Sequence, residues 1–80
     1  MAPARKDLDL SLYTARFAAR LRKFREKAEL THEEVAEAVG VTSRTVYAWE
    51  QGTVMPRVDQ LELLAEVLGL SSVQKILPAK

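Results

Sequence analysis

The chain has 80 residues, 12 basic and 11 acidic side chains, no cysteine and a formal net charge of +1. That excludes a disulfide scaffold and a cysteine-based metal site; no run of about 18 apolar residues exists for a membrane-spanning helix. Apolar residues make up 48% of the chain, enough for one small helical domain with a marginal core.

Residues 1–11, which contain Pro3 and mixed charges, read as a flexible arm. The arm lacks an apolar segment of the secretory type, so the cytoplasm is the expected compartment. Helix 1 is expected from Leu12 or Thr14 to Ala28. Phe17, Leu21, Phe24 and Ala28 recur at helical spacing and face the core. Arg16, Arg20, Lys23 and Lys27 form a second, basic stripe. Helix 2 opens with a Thr31-x-x-Glu34 capping box, flanked by Leu30 and Val35 as a hydrophobic staple. Val35, Ala36 and Val39 point inward, and Gly40 ends the helix where a left-handed conformation is needed.

Thr42 is an N-cap for helix 3, which runs from about Ser43 to Gln51 and closes at Gly52. Val46 and Trp49 face one way; Arg44, Tyr47, Ala48 and Gln51 face the other. Helix 4 starts near Val58 or Asp59, with Asp59 and Glu62 as a capping pair. Its core residues are Leu61, Leu64, Ala65 and Leu68, and Gly69 stops it. Ser71 or Ser72 caps a short fifth helix carrying Val73, Ile76 and Leu77, which Pro78 ends. The predicted domain is therefore residues 12–77, with residues 78–80 as a tail.

Helices 2 and 3, joined by a turn of about three residues, are a helix-turn-helix. Such a pair holds its second helix against base edges in the DNA major groove. Charge is unevenly spread. Residues 1–27 carry eight basic and three acidic side chains, whereas residues 28–52 carry one basic and five acidic. The acidic group, with Glu29, Glu33, Glu34 and Glu37 near helix 2, repels phosphate where it faces it. Enzymatic readings find no nucleophile–base set and no glycine-rich phosphate loop. The single histidine, His32, has no partner ligand at helical spacing. No catalytic role, cofactor, metal or small-molecule substrate is expected.

The residues LRKFREKAELTHEEVAEAVGV, TSRTVYAWEQG, Pro56 and VDQLELLAEVLG resemble the Cro/repressor-type (Xre) helix-turn-helix domains of bacterial and phage regulators. The specific part is Gly40, then Trp49-Glu50-x-Gly52, then Pro56. The resemblance implies an all-α, five-helix lambda-repressor-like domain with helices 2 and 3 as the helix-turn-helix, binding double-stranded DNA and usually dimeric. By the same resemblance Ser43, Arg44, Tyr47 and Ala48 read bases; a guanidinium at Arg44 suits guanine O6 and N7. His32, Thr42, Gln51, Thr53, Arg57, and Arg16 or Arg20 contact phosphates, with the amides of residues 52–54. Arg25 at the end of helix 1 pairs with Glu50 of helix 3.

Leu63 and Val67 lie on helix 4 nearly opposite its core face, where relatives often carry polar residues. With Leu70, Val73, Ile76 and Leu77 they form a candidate dimer interface. The alternative is that the C-terminal segment, or Leu8, Leu10 and Leu12 of the arm, covers them within one chain. Two functions follow: a dimeric, repressor-like regulator on a palindromic operator, or an antitoxin or adaptor module that docks a protein partner on the same fold.

Overall fold

The computed structural model describes residues 10–78. Expectations for residues 1–9 of the arm, and for Ala79 and Lys80, lie outside the described residues. Four α-helices follow in order: α1 (Leu10–Lys27), α2 (His32–Val39), α3 (Ser43–Gln51) and α4 (Val58–Val67). In place of a fifth α-helix there is a single 3₁₀ turn, Val73–Lys75, with Ser72 before it. No strand occurs among the described residues.

The helix starts follow from their caps. Glu34 N–H donates to Thr31 Oγ1 at 3.1 Å, and Thr31 N–H donates back to Glu34 Oε1 at 2.8 Å. Thr42 Oγ1 accepts from Thr45 N–H at 3.2 Å. Helix α4 departs from expectation: Arg57 is its N-cap, and the Gln60 side chain accepts from Arg57 N–H at 2.7 Å. The capping side chain is therefore Gln60, three residues on, and the bond runs one way; it is not Asp59 with Glu62. Helix α1 begins at Leu10, two residues before Leu12, so residues 10 and 11 of the expected arm are helical.

All four α-helices end alike. The amides of Leu30, Val41, Thr53 and Leu70 reach back five residues, to Arg25, Ala36, Ala48 and Ala65, at 3.1, 3.0, 3.4 and 2.8 Å. This is the Schellman closure, and it needs a left-handed residue just before the closing amide. Glycine fills that place after α2, α3 and α4, but Glu29 fills it after α1, with φ +61°. A side chain there costs roughly 1–2 kcal/mol relative to a helical conformation.

The core holds Phe17 and Leu21 from α1, Val35 from α2, Val46 and Trp49 from α3, Leu64 from α4, and Ile76. Helix α3 packs on both α1 and α2, while α4 packs on α2 and carries the 3₁₀ turn. Phe24 is half-buried against the core, and Ala28, beyond the end of α1, is exposed instead of inward. Ile76 is completely buried, which corrects its place on a dimer face. Val67, Leu70, Val73 and Leu77 also pack against the core, half-buried. The C-terminal segment thus covers much of α4 within one chain. Leu63 stays 38% exposed.

Candidate nucleic-acid interface

Helix α3 is two-sided. Val46 and Trp49 are buried, so the helix is pinned along one edge. The Arg44 side chain is exposed and makes no hydrogen bond or ion pair with another described residue. Tyr47 is 54% exposed, a large fraction for an aromatic ring on a packed helix. Ser43 and Ala48 are half-buried beside them. His32, Glu33, Ser43, Arg44 and Tyr47 line one shallow cleft between the start of α2 and the outer side of α3.

A buried cluster sets the angle at which α3 is presented. Arg25 Nε donates to Glu50 Oε2 at 2.6 Å, and Nη2 donates to Oε1 at 3.3 Å. Arg25 Nη1 also donates to the Leu30 carbonyl at 2.8 Å. One guanidinium therefore ties α1, the α1–α2 loop and α3 together. His32 Nε2 lies 3.1 Å from Glu50 Oε1, and its ring meets Tyr47 edge-on with centroids 5.6 Å apart. The fork of Arg25 matches both carboxylate oxygens, the geometry in which such pairs are strongest.

The expected phosphate contacts divide. Arg16 and Gln51 are exposed, and their side chains make no hydrogen bond with another described residue. Thr42 is exposed, with its hydroxyl 3.0 Å from that of Thr45. Arg20 is placed elsewhere: Nε donates to the Ile76 carbonyl at 3.2 Å, Nη2 donates to the Lys75 carbonyl, and the guanidinium lies 5.5 Å from the centre of the Phe24 ring. It holds the C-terminal segment on α1, so its expected phosphate role is corrected to a structural one. Thr53 Oγ1 donates to the Ala48 carbonyl at 3.2 Å, which leaves no donor for a phosphate oxygen. The amides of Gly52 and Thr53 likewise close α3, so of residues 52–54 only Val54 N–H makes no backbone hydrogen bond. Arg57 is exposed and bonded to Asp59 at 3.3 and 3.4 Å. That hydrogen bond raises the Arg57 pKa and holds the Asp59 carboxyl below its ordinary range.

Two features escaped the sequence reading. Arg22 and Lys23, not Arg20, border a groove with Ala15, Ala19 and Gln51, beside the end of α3. Lys23 was visible in the basic stripe; Arg22 was not, because it lies off that stripe and bonds Glu26 at 3.3 Å. The His32–Glu50 contact is the second. No local pattern links positions that far apart, one at the start of α2 and the other near the end of α3.

The helix-turn-helix domain family matches residues 16–75. Over 54 residues the chain is 37% identical to the cryptic phage CTXphi transcriptional repressor RstR of Vibrio cholerae, a match covering 68% of this chain and 49% of that protein. Over 56 residues it is 38% identical to an uncharacterized HTH-type transcriptional regulator of Methanothermobacter thermautotrophicus, covering 70% of this chain and 81% of that one. Among solved structures it resembles hydroxypropylphosphonic acid epoxidase from S. wedmorenis, with a TM-score of 0.75 and 34% identity over 82% of this chain and 35% of the epoxidase. It shares its fold with an HTH_3 family transcriptional regulator from Vibrio cholerae, with a TM-score of 0.74 and 21% identity over 84% of this chain and 37% of that one. The chain thus spans about half the length of the phage repressor and about a third of the epoxidase. With the geometry of α2 and α3, these matches show that the chain belongs to the helix-turn-helix domain family, in its Cro/repressor (Xre) form.

Proposed function

We propose that the chain binds double-stranded DNA sequence-specifically and regulates transcription in the cytoplasm, with α3 in the major groove and no chemistry of its own. The observation that carries this reading is the two-sidedness of α3. Val46 and Trp49 anchor it, Arg25 and Glu50 fix its angle, and the Arg44 side chain is exposed with no hydrogen-bond or ion-pair partner among the described residues. In this reading Arg44 takes guanine O6 and N7, and Tyr47 meets a thymine methyl or a phosphate. Ser43 and Ala48 lie against the base edges. Arg16, Thr42, Gln51 and Val54 N–H position the domain on phosphates, and carry no sequence information themselves.

Two copies on a palindromic site complete the proposal. The dimer face is smaller than the sequence implied, because Ile76 is internal; it centres on Leu63, with the half-buried Val67, Leu70, Val73 and Leu77 around it. A two-fold pair places two α3 helices about 34 Å apart, one turn of DNA.

Selection of bound sites from a random duplex library tests both parts. A recovered motif with two-fold symmetry supports a dimer, and a single asymmetric half-site contradicts it. Binding to that site weakens with salt, with a log–log slope of about −0.9 for each phosphate neutralised. Leu63→Lys leaves the core intact and is expected to lower the sedimentation coefficient to that of a monomer. One observation favours a second reading: Glu33, Glu34 and Glu37 of α2 are all exposed carboxylates. An antitoxin- or adaptor-type module docking a protein is the reading left if the library yields no bound duplex.

A further inference from the structure

Glu50 accepts from Arg25 on both carboxylate oxygens, the two-pronged geometry of a guanidinium–carboxylate pair. An ionised carboxylate has no hydrogen to give. The Nε2 of His32, 3.1 Å from Glu50 Oε1, is therefore the donor in that contact. This fixes the tautomer. A neutral His32 carries its hydrogen on Nε2 and presents Nδ1 as a bare lone pair; a protonated His32 presents Nδ1–H. Nδ1 makes no hydrogen bond with a described residue, and His32 lines the cleft with Ser43, Arg44 and Tyr47.

A phosphate oxygen on DNA only accepts. Neutral His32, with its one hydrogen held by Glu50, has nothing to donate to it. We propose that His32 is a proton-gated phosphate contact: DNA binding takes up one proton at His32 Nδ1, and affinity for duplex rises as pH falls. The inference rests on the DNA-binding reading above. The charged and titratable groups around the ring are Glu33 on its own helix, Arg44, Tyr47 and Glu50 on α3, and Arg25 of α1 behind Glu50. The phosphate supplies the extra negative charge that tips the balance on binding.

The test is fluorescence anisotropy with a random-sequence duplex pool at constant ionic strength, for wild type and His32→Gln. Across about pH 5.5 to 8, where imidazole changes charge, wild-type affinity is expected to fall with rising pH. The fall is at most tenfold per pH unit, the limit for one linked proton. Glutamine offers an amide N–H that does not titrate, so His32→Gln is expected to bind with a flat profile. His32 is the one histidine in the sequence, so its ring nitrogens are read by NMR without overlap. In the steep region Nδ1 is expected to be bare in the free protein and protonated in the complex. Equal pH profiles for the two proteins, or a complex with Nδ1 still bare, would overturn the inference while leaving DNA binding intact. Failure of both proteins to bind duplex at every pH would overturn the DNA-binding reading, and this inference with it.

Discussion

Two arginine–carboxylate pairs in this molecule have the same chemistry and opposite surroundings. Arg25 and Glu50 join α1 to α3 with side chains 11% and 5% exposed. Arg57 and Asp59 meet at the start of α4 with side chains 74% and 67% exposed. Each guanidinium uses Nε and Nη2 on two carboxylate oxygens. The first pair is largely withdrawn from solvent, bridges separate elements and has a third hydrogen bond to the Leu30 carbonyl. The second spans two residues of one segment in open solvent. Burial, not pairing, decides which of them fixes the position of a helix.

The largest expected effect breaks the buried pair. Arg25→Ala leaves Glu50 in the interior with only His32 beside it, and is expected to destabilise by about 3–5 kcal/mol. The double mutant Arg25→Ala, Glu50→Ala is expected to cost less than the two single changes combined. Urea unfolding of the four proteins measures this; an absence of coupling would place the two pairs in the same class.

Smaller effects lie in the loops beside that junction. Gly52 has φ +79°, and a Cβ there would stand 3.5 Å from Ala15 Cα, an ordinary contact. Gly52→Ala should therefore cost about 1–2 kcal/mol through backbone conformation alone. Glu29 sits in the same conformation without being glycine, next to the residue whose carbonyl Arg25 holds. Glu29→Gly is expected to stabilise by about 0.5–1 kcal/mol, the relief of strain less the added freedom of the unfolded chain. A lower melting temperature for this variant would show that the Arg25 cluster needs the glutamate itself.

The smallest effect is at the exposed pair. The Asp59 pKa is lowered on folding by its hydrogen bond to Arg57. Its stabilisation is thus present above the ordinary carboxylate range and is lost as pH falls through the lower folded value. Solvent screens a pair this exposed. Asp59→Asn is expected to leave the melting temperature unchanged within error, both at neutral pH and on acidification to about pH 3.

The local signals in the sequence carried most of the fold. Thr31 with Glu34, Thr42, Gly40, Gly52 and Gly69 act within a few residues of themselves, so their roles are legible without knowing the rest. Glu29 escaped because nothing in a glutamate signals a left-handed backbone; the closure of α1 imposes it. Arg20 was assigned to phosphate because its partners, the carbonyls of Lys75 and Ile76, lie more than fifty residues away. Ile76 was placed on a surface for the same reason: a short segment after Gly69 reads as a loose end until Arg20 draws it onto α1. For Thr53 the side chain was legible, but its hydrogen was already committed to Ala48. Arg44 was legible because its outward place follows directly from Val46 and Trp49 on the other side of one short helix.

Duplex affinity of Arg44→Ala against wild type, on the best site recovered from the random library, tests the role of α3 most directly. The expected result is a loss of about 1–3 kcal/mol, relaxed preference at one base pair per half-site and an unchanged melting temperature, since the Arg44 side chain is exposed and makes no hydrogen bond or ion pair with another described residue. A variant that binds the same site as tightly and as selectively as wild type would contradict the placement of α3 against the bases.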